Sequence, residues 1–401
     1  MVSGARMNTP IQVTGDVDAE ARPRFAFKID PLLALAAFGL VACGLVTLSG
    51  ATRTMVHSQP LYYVERQAIY VGIGVLVALV LSRIDYSRLR EYKYGFFGLL
   101  IALNIVVLGM PAVRGAHRWI PLPFFQVQSS EFGKALLIVS LAAFAVDRTR
   151  RLHERRTTAR IMLLALLPAM IVIPQPDLGT GLVYVAIAFM MLVFAGTSWK
   201  QLTALAAMFV ASIVLVLVAG PALGVHVLKP YQVQRLTGFL NPSRDPSNQT
   251  YNILQSEIAI GSGQKTGRGV ARATQTSLHF LPENQTDFIF AVVGETYGFA
   301  GAALVLSLYA LLIWRTLRIL TIAKNLYGTL IAAGILAMLM FQVFVNVGMT
   351  IGIMPITGVP LPLMSYGGSS VLVTFIAIGL LQSINIQAKT AAAGKGRALV
   401  S

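Results

Sequence analysis

Long apolar blocks separated by short basic loops run through this chain. Residues 31–51, PLLALAAFGLVACGLVTLSGA, contain no charge, and a helix needs ~20 mostly apolar residues to cross a bilayer. Comparable blocks follow at roughly 67–84, 95–112, 128–146, 160–175, 179–196, 201–223, 287–313, 325–350 and 368–387. Lipid admits only helices or closed barrels, and blocks of this length predict an all-α polytopic membrane protein with about ten transmembrane helices. The pair around IPQPDLGTG (173–181) decides the count. Pro174 and Pro176 split one apolar stretch there, because proline removes a helix donor and clashes with the preceding turn. Merging the two pieces gives nine spans and moves one terminus across the membrane.

Lysine and arginine in the short loops set the orientation. Arg22, Arg24 and Lys28 precede the first block, and Arg83, Arg88, Arg90 and Lys93 follow the second. DRTRRLHERRTTAR (147–160) follows the fourth, Lys200 the sixth, and Arg315, Arg318 and Lys324 the eighth; Lys389, Lys395 and Arg397 end the chain. Every even-numbered exit is basic. Both termini (1–30 and 388–401) are therefore expected in the cytoplasm, with residues 31–387 forming the membrane domain. The polar N-terminal stretch lacks the apolar core and cleavage site of a signal peptide.

Composition agrees: 56% of the 401 residues are hydrophobic and 12% charged, with a mean hydropathy of +0.70. The net charge of +16 is largely the inner-leaflet collar, so nucleic acid is not an expected partner. Cys43 is the single cysteine, which excludes an internal disulfide or a thiolate metal cage.

The candidate chemistry lies on the opposite, outer side. The loop 224–286 carries Lys229, Arg235, Arg244, Lys265, Arg268 and Arg272 against Asp245, Glu257 and Glu283. It is either a solvated loop near lipid phosphates or a site for an anionic ligand. GSGQKTGRG (261–269) supports the second reading, since glycines let backbone N–H groups approach a phosphate. YNILQSEIAI (251–260) has helical spacing and is suited to lying flat in the interface. In RGAHRWIPLPFFQVQSSEFGK (114–134), Arg118 stands beside Trp119, which serves either an interface anchor or a site. Glu131 and Lys134 are at i,i+3 on one helix face, as a structural ion pair or as groups facing a cavity. Asp177 and Asp287 sit where helix caps are expected. Glu295 follows Asp287 by about two turns and ~80° at ~100° per residue, so the two carboxylates could face one cleft. NVGMTIGIMPITGVPLPLMSYGGSS (346–370) is too broken for a continuous helix and too apolar for a free loop, and reads as a re-entrant or packed segment.

Six stretches in order, GAHRWI, SSEFGK, QPDLGTG, QSEIAIGSG, FLPENQTDFIF and GVPLPLMSYGGSS, make the chain resemble the SEDS family (shape, elongation, division, sporulation), bacterial membrane glycosyltransferases of the RodA and FtsW type. The resemblance covers about residues 31–387 and is nearest the RodA branch. It implies polymerisation of lipid II into β-1,4 glycan strands on the outer face of the cytoplasmic membrane, with a class B penicillin-binding protein as partner. By that resemblance Asp287 matches the family's essential aspartate and is the candidate general base. Arg118 and Trp119 match its Arg-Trp motif, and Glu131, Lys134 and Glu295 match polar positions near its cavity. Asp177, Lys265, Arg268, Ser365 and Tyr366 complete the expected substrate-binding set. No cofactor is certain; a divalent cation, magnesium or manganese, would share the pyrophosphate with these cations, and the sequence carries no dedicated cage for it. The chain departs from the family at Ser129, where proline is usual, at Gln285, where histidine is frequent, and at Thr296, where a second glutamate often stands. The rival reading is a lipid II flippase, because broken helices and buried charges also mark transporters; a non-catalytic scaffold is a third.

Overall fold

The computed structural model describes residues 29–398, except 54, 56–58, 112–117, 122–124, 152–153, 220–221, 223–229, 241–247 and 279. The basic residues Arg22, Arg24 and Lys28, and the loop charges Lys229, Arg244 and Asp245, lie outside the described residues.

Among the described residues the molecule is all-α apart from one short hairpin. Its helices are α1 (Pro31–Ala51), α2 (Tyr62–Arg83), α3 (Lys93–Val106), α4 (Ser129–Val146), α5 (Arg155–Val172), α6 (Leu178–Phe194) and α7 (Trp199–Val214). In the long loop come α8 (Pro230–Thr237), α9 (Asn248–Gly263) and the single turn α10 (Thr274–Ser277). Then follow α11 (Ile289–Ile322), α12 (Leu326–Thr350) and α13 (Gly368–Ala398). Caps explain several starts. Asp30 accepts from Leu33 N at 3.0 Å with Pro31 in the first turn, and Asn325 accepts from Gly328 N at 2.9 Å, each satisfying a donor the helix cannot.

Eight helices among the described residues are long and apolar enough to cross a membrane. The remaining apolar pair is α5, which begins with Arg155, Arg156 and Arg160, and α6, of 17 residues. This is the pair on which the count of ten turned; the two proline-flanked helices are separate and pack on each other. Several boundaries moved. α11 starts at Ile289, after Asp287 rather than on it, and α13 continues to Ala398, through most of the stretch expected to be a tail.

The apolar core lies where α4, α6, α12 and α13 meet, and α2 packs along α13. By contrast, α7 buries only Leu202. At one end of this bundle the charges form partly open pairs. Arg90 and Lys93 both meet Asp147, Lys324 lies 3.8 Å from Asp85, and Arg315 binds Asp30, whose backbone is also held by Gln382.

The loops gather at the opposite end. Strands β1 (Trp119–Pro121) and β2 (Gln126–Gln128) pair antiparallel, Trp119 opposite Gln128. Gln128 ties this hairpin to α13 through Ser369 (3.0 Å) and to the α5–α6 turn through Asp177 (3.0 Å). The 346–370 stretch splits at Thr350. Beyond it the chain is irregular and buries Ile356, Val359, Leu361, Leu363 and Met364. A second apolar cluster, with Ile253, Ala259, Phe288, Ala291 and Met349, seats α9 against α11 and α12. Ser256 Oγ donates to Thr350 O at 2.7 Å. So one face of 251–260 finds protein to pack on, while Glu257 and Ile258 on the other remain exposed.

Candidate active site

Among the described residues four carboxylates at the loop end are buried or half-buried, and three are engaged by other groups, although Glu131 Oε2 is enclosed without a hydrogen-bond partner. Asp177 accepts from Ser130 Oγ (2.7 Å), Gln128 Nε2 (3.0 Å) and Thr180 N (3.2 Å). It caps α6 and clasps α4, with 3% of its surface exposed. Glu131 pairs with Lys134 at 2.7 Å, and both side chains are almost fully enclosed. Lys134 is thus paired where it stands, as a charge this deep must be.

Glu295 is the clearest correction. Its Oε1 accepts from Gln275 N at 2.8 Å, and its Oε2 from Thr276 N at 3.0 Å and Thr276 Oγ1 at 2.6 Å. Both oxygens hold the N-terminal turn of α10, and the residue is wholly buried. The expected cleft shared with Asp287 does not form. The ~80° reckoning assumed one continuous helix, whereas Asp287 precedes the first turn of α11.

The glycine-rich segment also works differently from expectation. α11 breaks at Gly298 (φ 64°, ψ −158°), which frees backbone groups on both sides. Arg268 N and Gly269 N donate to Glu295 O and Thr296 O at 2.9 and 3.0 Å. Phe299 N and Ala300 N donate to Gln264 O and Lys265 O at 2.9 and 3.1 Å. The loop splints the kink and spends the N–H groups that a phosphate would need. Gly267 takes a φ of 81°, and a Cβ on it would lie 2.2 Å from Thr296 O, so glycine is required there by both conformation and contact. Lys265 and Arg268 remain exposed.

Asp287 differs from its neighbours. It caps nothing: Phe288 is the N-cap of α11 and makes no side-chain cap bond. Its backbone is fixed in a tight turn, with Thr286 N, Asp287 N and Phe288 N all donating to Glu283 O at 3.1–3.3 Å. Asn346 Nδ2 donates to Asp287 O (2.9 Å) and Val359 O (2.8 Å). Ser365 Oγ donates to Thr286 O at 2.6 Å and Tyr366 N to Gln285 O at 2.9 Å. The carboxylate itself is half-buried and makes no ion pair within 4 Å among the described residues. Burial and the Glu283 charge push its pKa up to about 6, against the pull of Arg235, Arg118 and the Thr286 hydroxyl.

Arg118 and Trp119 are half-buried at the hairpin's edge, and Arg118 Nε is enclosed without a hydrogen-bond partner. Such a donor beside a carboxylate is available to an incoming anion. Ser365 shapes the Asp287 turn through its hydroxyl. Tyr366 stands next to it with its ring edge-to-face on Tyr63 at 4.9 Å, and burial with the nearby Tyr70 raises its phenol to about 12 against the pull of Arg66. Among the described residues no three His, Cys, Asp or Glu side chains gather to hold a metal. A hydrated magnesium ion, however, needs only one or two carboxylates plus substrate phosphates, and the exposed Glu283 is a carboxylate suited to supply one.

Sequence reasoning passed over Asn346 and Gln67, which hold the Asp287 turn and the Ser365–Gly367 backbone. The signal was there: each is a buried polar side chain in an apolar run, as intramembrane functional groups are.

The family model described as "Cell cycle protein" (FtsW, RodA, SpoVE) matches residues 28–390. The chain belongs to this FtsW/RodA/SpoVE family. It is 33% identical to Stage V sporulation protein E of Bacillus subtilis, covering 89% of this chain and 96% of that one. It is 35% identical to the peptidoglycan glycosyltransferase RodA of Treponema pallidum over 91% of this chain and 99% of the relative. Among solved structures, a chain of a peptidoglycan synthase complex described as coordinating polymerization and crosslinking superposes with a TM-score of 0.74 at 30% identity, covering 90% of this chain and 98% of that one. The crystal structure of Thermus thermophilus RodA gives 0.62 at 27% identity, covering 90% and 97%. The expectation of a multi-pass membrane enzyme of this family stands with these relatives, over nearly the whole membrane domain.

Proposed function

We propose that this FtsW/RodA-family enzyme polymerises lipid II into glycan strands on the outer face of the cytoplasmic membrane, with Asp287 as general base. The single observation that carries the reading is the state of Asp287. Of the four enclosed carboxylates at the loop end, it alone is not consumed by a cap, an ion pair or a helix anchor.

A pyrophosphate leaves as a stable anion, so the reaction needs no acid of the kind that glycoside hydrolysis requires. It needs one base and positive charge where the leaving group develops. In this scheme Asp287 takes the proton from the 4-hydroxyl of the acceptor's N-acetylglucosamine. That oxygen bonds to the anomeric carbon of the donor's N-acetylmuramic acid as the bond to phosphate breaks. Its electron pair leaves with undecaprenyl pyrophosphate, and the new linkage is β-1,4 with inversion. A carboxyl titrating near 6 is largely ionised at neutral pH and a stronger base than an ordinary aspartate. Arg118 and Arg235 face the same group and are suited to the pyrophosphate. A divalent cation held by Glu283 and the pyrophosphate oxygens would neutralise part of the leaving charge when bound, leaving Asp287 to act as the base.

The likeness to a chain of a synthase complex supports work beside a crosslinking partner of the class B penicillin-binding type. The deciding experiment is purified protein in detergent with lipid II, read by gel for polymer. Micelles have no leaflets, so polymer there is chemistry and not flipping. A wild type that makes polymer and an Asp287→Asn variant that does not is the expected result; equal polymer from both removes Asp287 from the mechanism.

A further inference from the structure

The first two turns of α2 carry a row of aromatic rings that the reaction scheme leaves unused. Tyr62 and Tyr63 meet edge-to-face at 5.3 Å, and Tyr63 meets Tyr366 in the same way at 4.9 Å. Arg66 lies 4.5 Å over the Tyr62 ring and faces the Tyr366 hydroxyl. All three tyrosines are half-buried and Arg66 is exposed, so ring surface and guanidinium are open to a ligand.

Tyrosines at a membrane boundary are ordinarily anchors in the headgroup layer. Two features set this row apart. First, it is held rigidly. The buried Gln67 brackets Tyr366, its Nε2 donating to Ser365 O at 3.0 Å and its Oε1 accepting from Gly367 N at 3.2 Å. A lipid anchor gains nothing from having its backbone fixed on both sides by another helix. Second, the row is registered to the candidate base. The backbone of Tyr366 bonds to Gln285 and the hydroxyl of Ser365 to Thr286, the residues directly before Asp287.

A rigid row of amphipathic rings beside a cation suits a ligand with apolar C–H faces, hydroxyl edges and an anionic substituent. That describes amino-sugar rings substituted by a peptide stem whose side and end groups include carboxylates. We propose that Tyr62, Tyr63, Arg66 and Tyr366 form a glycan-binding ledge that holds sugar units of the polymer next to Asp287. The inference rests on the glycosyltransferase reading for its ligand class. The rings supply stacking faces at low entropy cost, since tyrosine has few rotatable bonds. Arg66 supplies charge-assisted hydrogen bonds to the substituent.

The test separates binding from turnover. Full-length protein in detergent is titrated with a tetrasaccharide released from peptidoglycan glycan strands, and binding is followed by thermophoresis. Wild type and Asp287→Asn are expected to bind it saturably and alike. Tyr63→Leu and, separately, Tyr62→Leu are expected to weaken binding at least tenfold, with Tyr63→Phe restoring it. Thermal unfolding of each variant guards against a folding defect, and Tyr62, at the first turn of α2, is the safer substitution. In polymerisation assays the leucine variants should yield shorter strands with a higher KM and a nearly unchanged kcat. Absence of saturable binding by wild type, or equal affinity in the leucine variants, overturns the ledge. So does a loss confined to lipid nanodiscs, which would make the row a membrane anchor. A protein that binds the tetrasaccharide yet never makes polymer would instead sink the reading of its reaction and leave the ledge standing.

Discussion

Arg90, Lys93 and Asp147 at one end of the bundle keep between 19% and 46% of their side-chain surface open. Glu131 and Lys134 at the other keep 1–2%. The two pairs hold their charges under different solvation. Where water remains, a pair is screened and adds little. Where it is gone, each charge must be fully partnered or the fold loses several kcal/mol. The loop end therefore spends its carboxylates: Asp177 on a cap and a clasp, Glu131 on Lys134, Glu295 on α10. Against that rule, a half-buried Asp287 facing two guanidiniums without a closed ion pair marks the place where structure gives way to chemistry.

Removing the exception should have the largest effect. Asp287→Asn is expected to cut turnover by about 10²–10⁴-fold while gel filtration and thermal unfolding stay as in wild type. Breaking the rule comes next. Lys134→Met strands the Glu131 charge and should cost about 3–5 kcal/mol, seen as a lower unfolding temperature in detergent. The double variant Glu131→Gln with Lys134→Met should recover most of it. Glu295→Gln keeps one acceptor but loses the charge, and about 1–3 kcal/mol of local stability should disappear as faster hydrogen exchange in residues 274–277.

A pH series sharpens the contrast further. Asp287 must be ionised to act as base, so activity should fall about tenfold per unit as the pH drops below about 6, and level off above it. At the open end the sign concerns stability instead. Burial raises the Asp147 carboxyl, but hydrogen bonds from Lys93 and Arg90 outweigh this and leave it below its ordinary value. Its stabilisation is thus present above the unfolded carboxylate range and lost on acidification through the depressed value. The smallest effect is expected there: Arg90→Ala should cost under about 1 kcal/mol, with the difference vanishing in molar salt, as unfolding at low and high ionic strength would reveal.

Much of this was legible in the chain. The apolar blocks gave the helix starts to within about five residues, because a spanning helix announces itself by length and hydropathy alone; the ends of α7, α11 and α13 were less well placed. The carboxylates inside or beside those blocks were visible as anomalies for the same reason. Less legible was the use of each. The glycines of GSGQKTGRG suggested a phosphate cradle, and nothing local reveals that the break of α11 at Gly298 takes up the Arg268 and Gly269 N–H groups. Asp287 and Glu295 appeared as neighbours on one helix until that helix was found to begin between them.

The sequence by itself determined that this is a helical membrane protein and which few polar groups had to be accounted for in its apolar setting. Only the tertiary structure decided which of them were already satisfied. Ser130 reaches Asp177 across 47 residues, Thr276 reaches Glu295 across 19, and Asn346 reaches the Asp287 backbone across 59. Hydropathy is a sum along the chain, whereas satisfying a buried hydrogen-bonding group depends on what stands beside it in space.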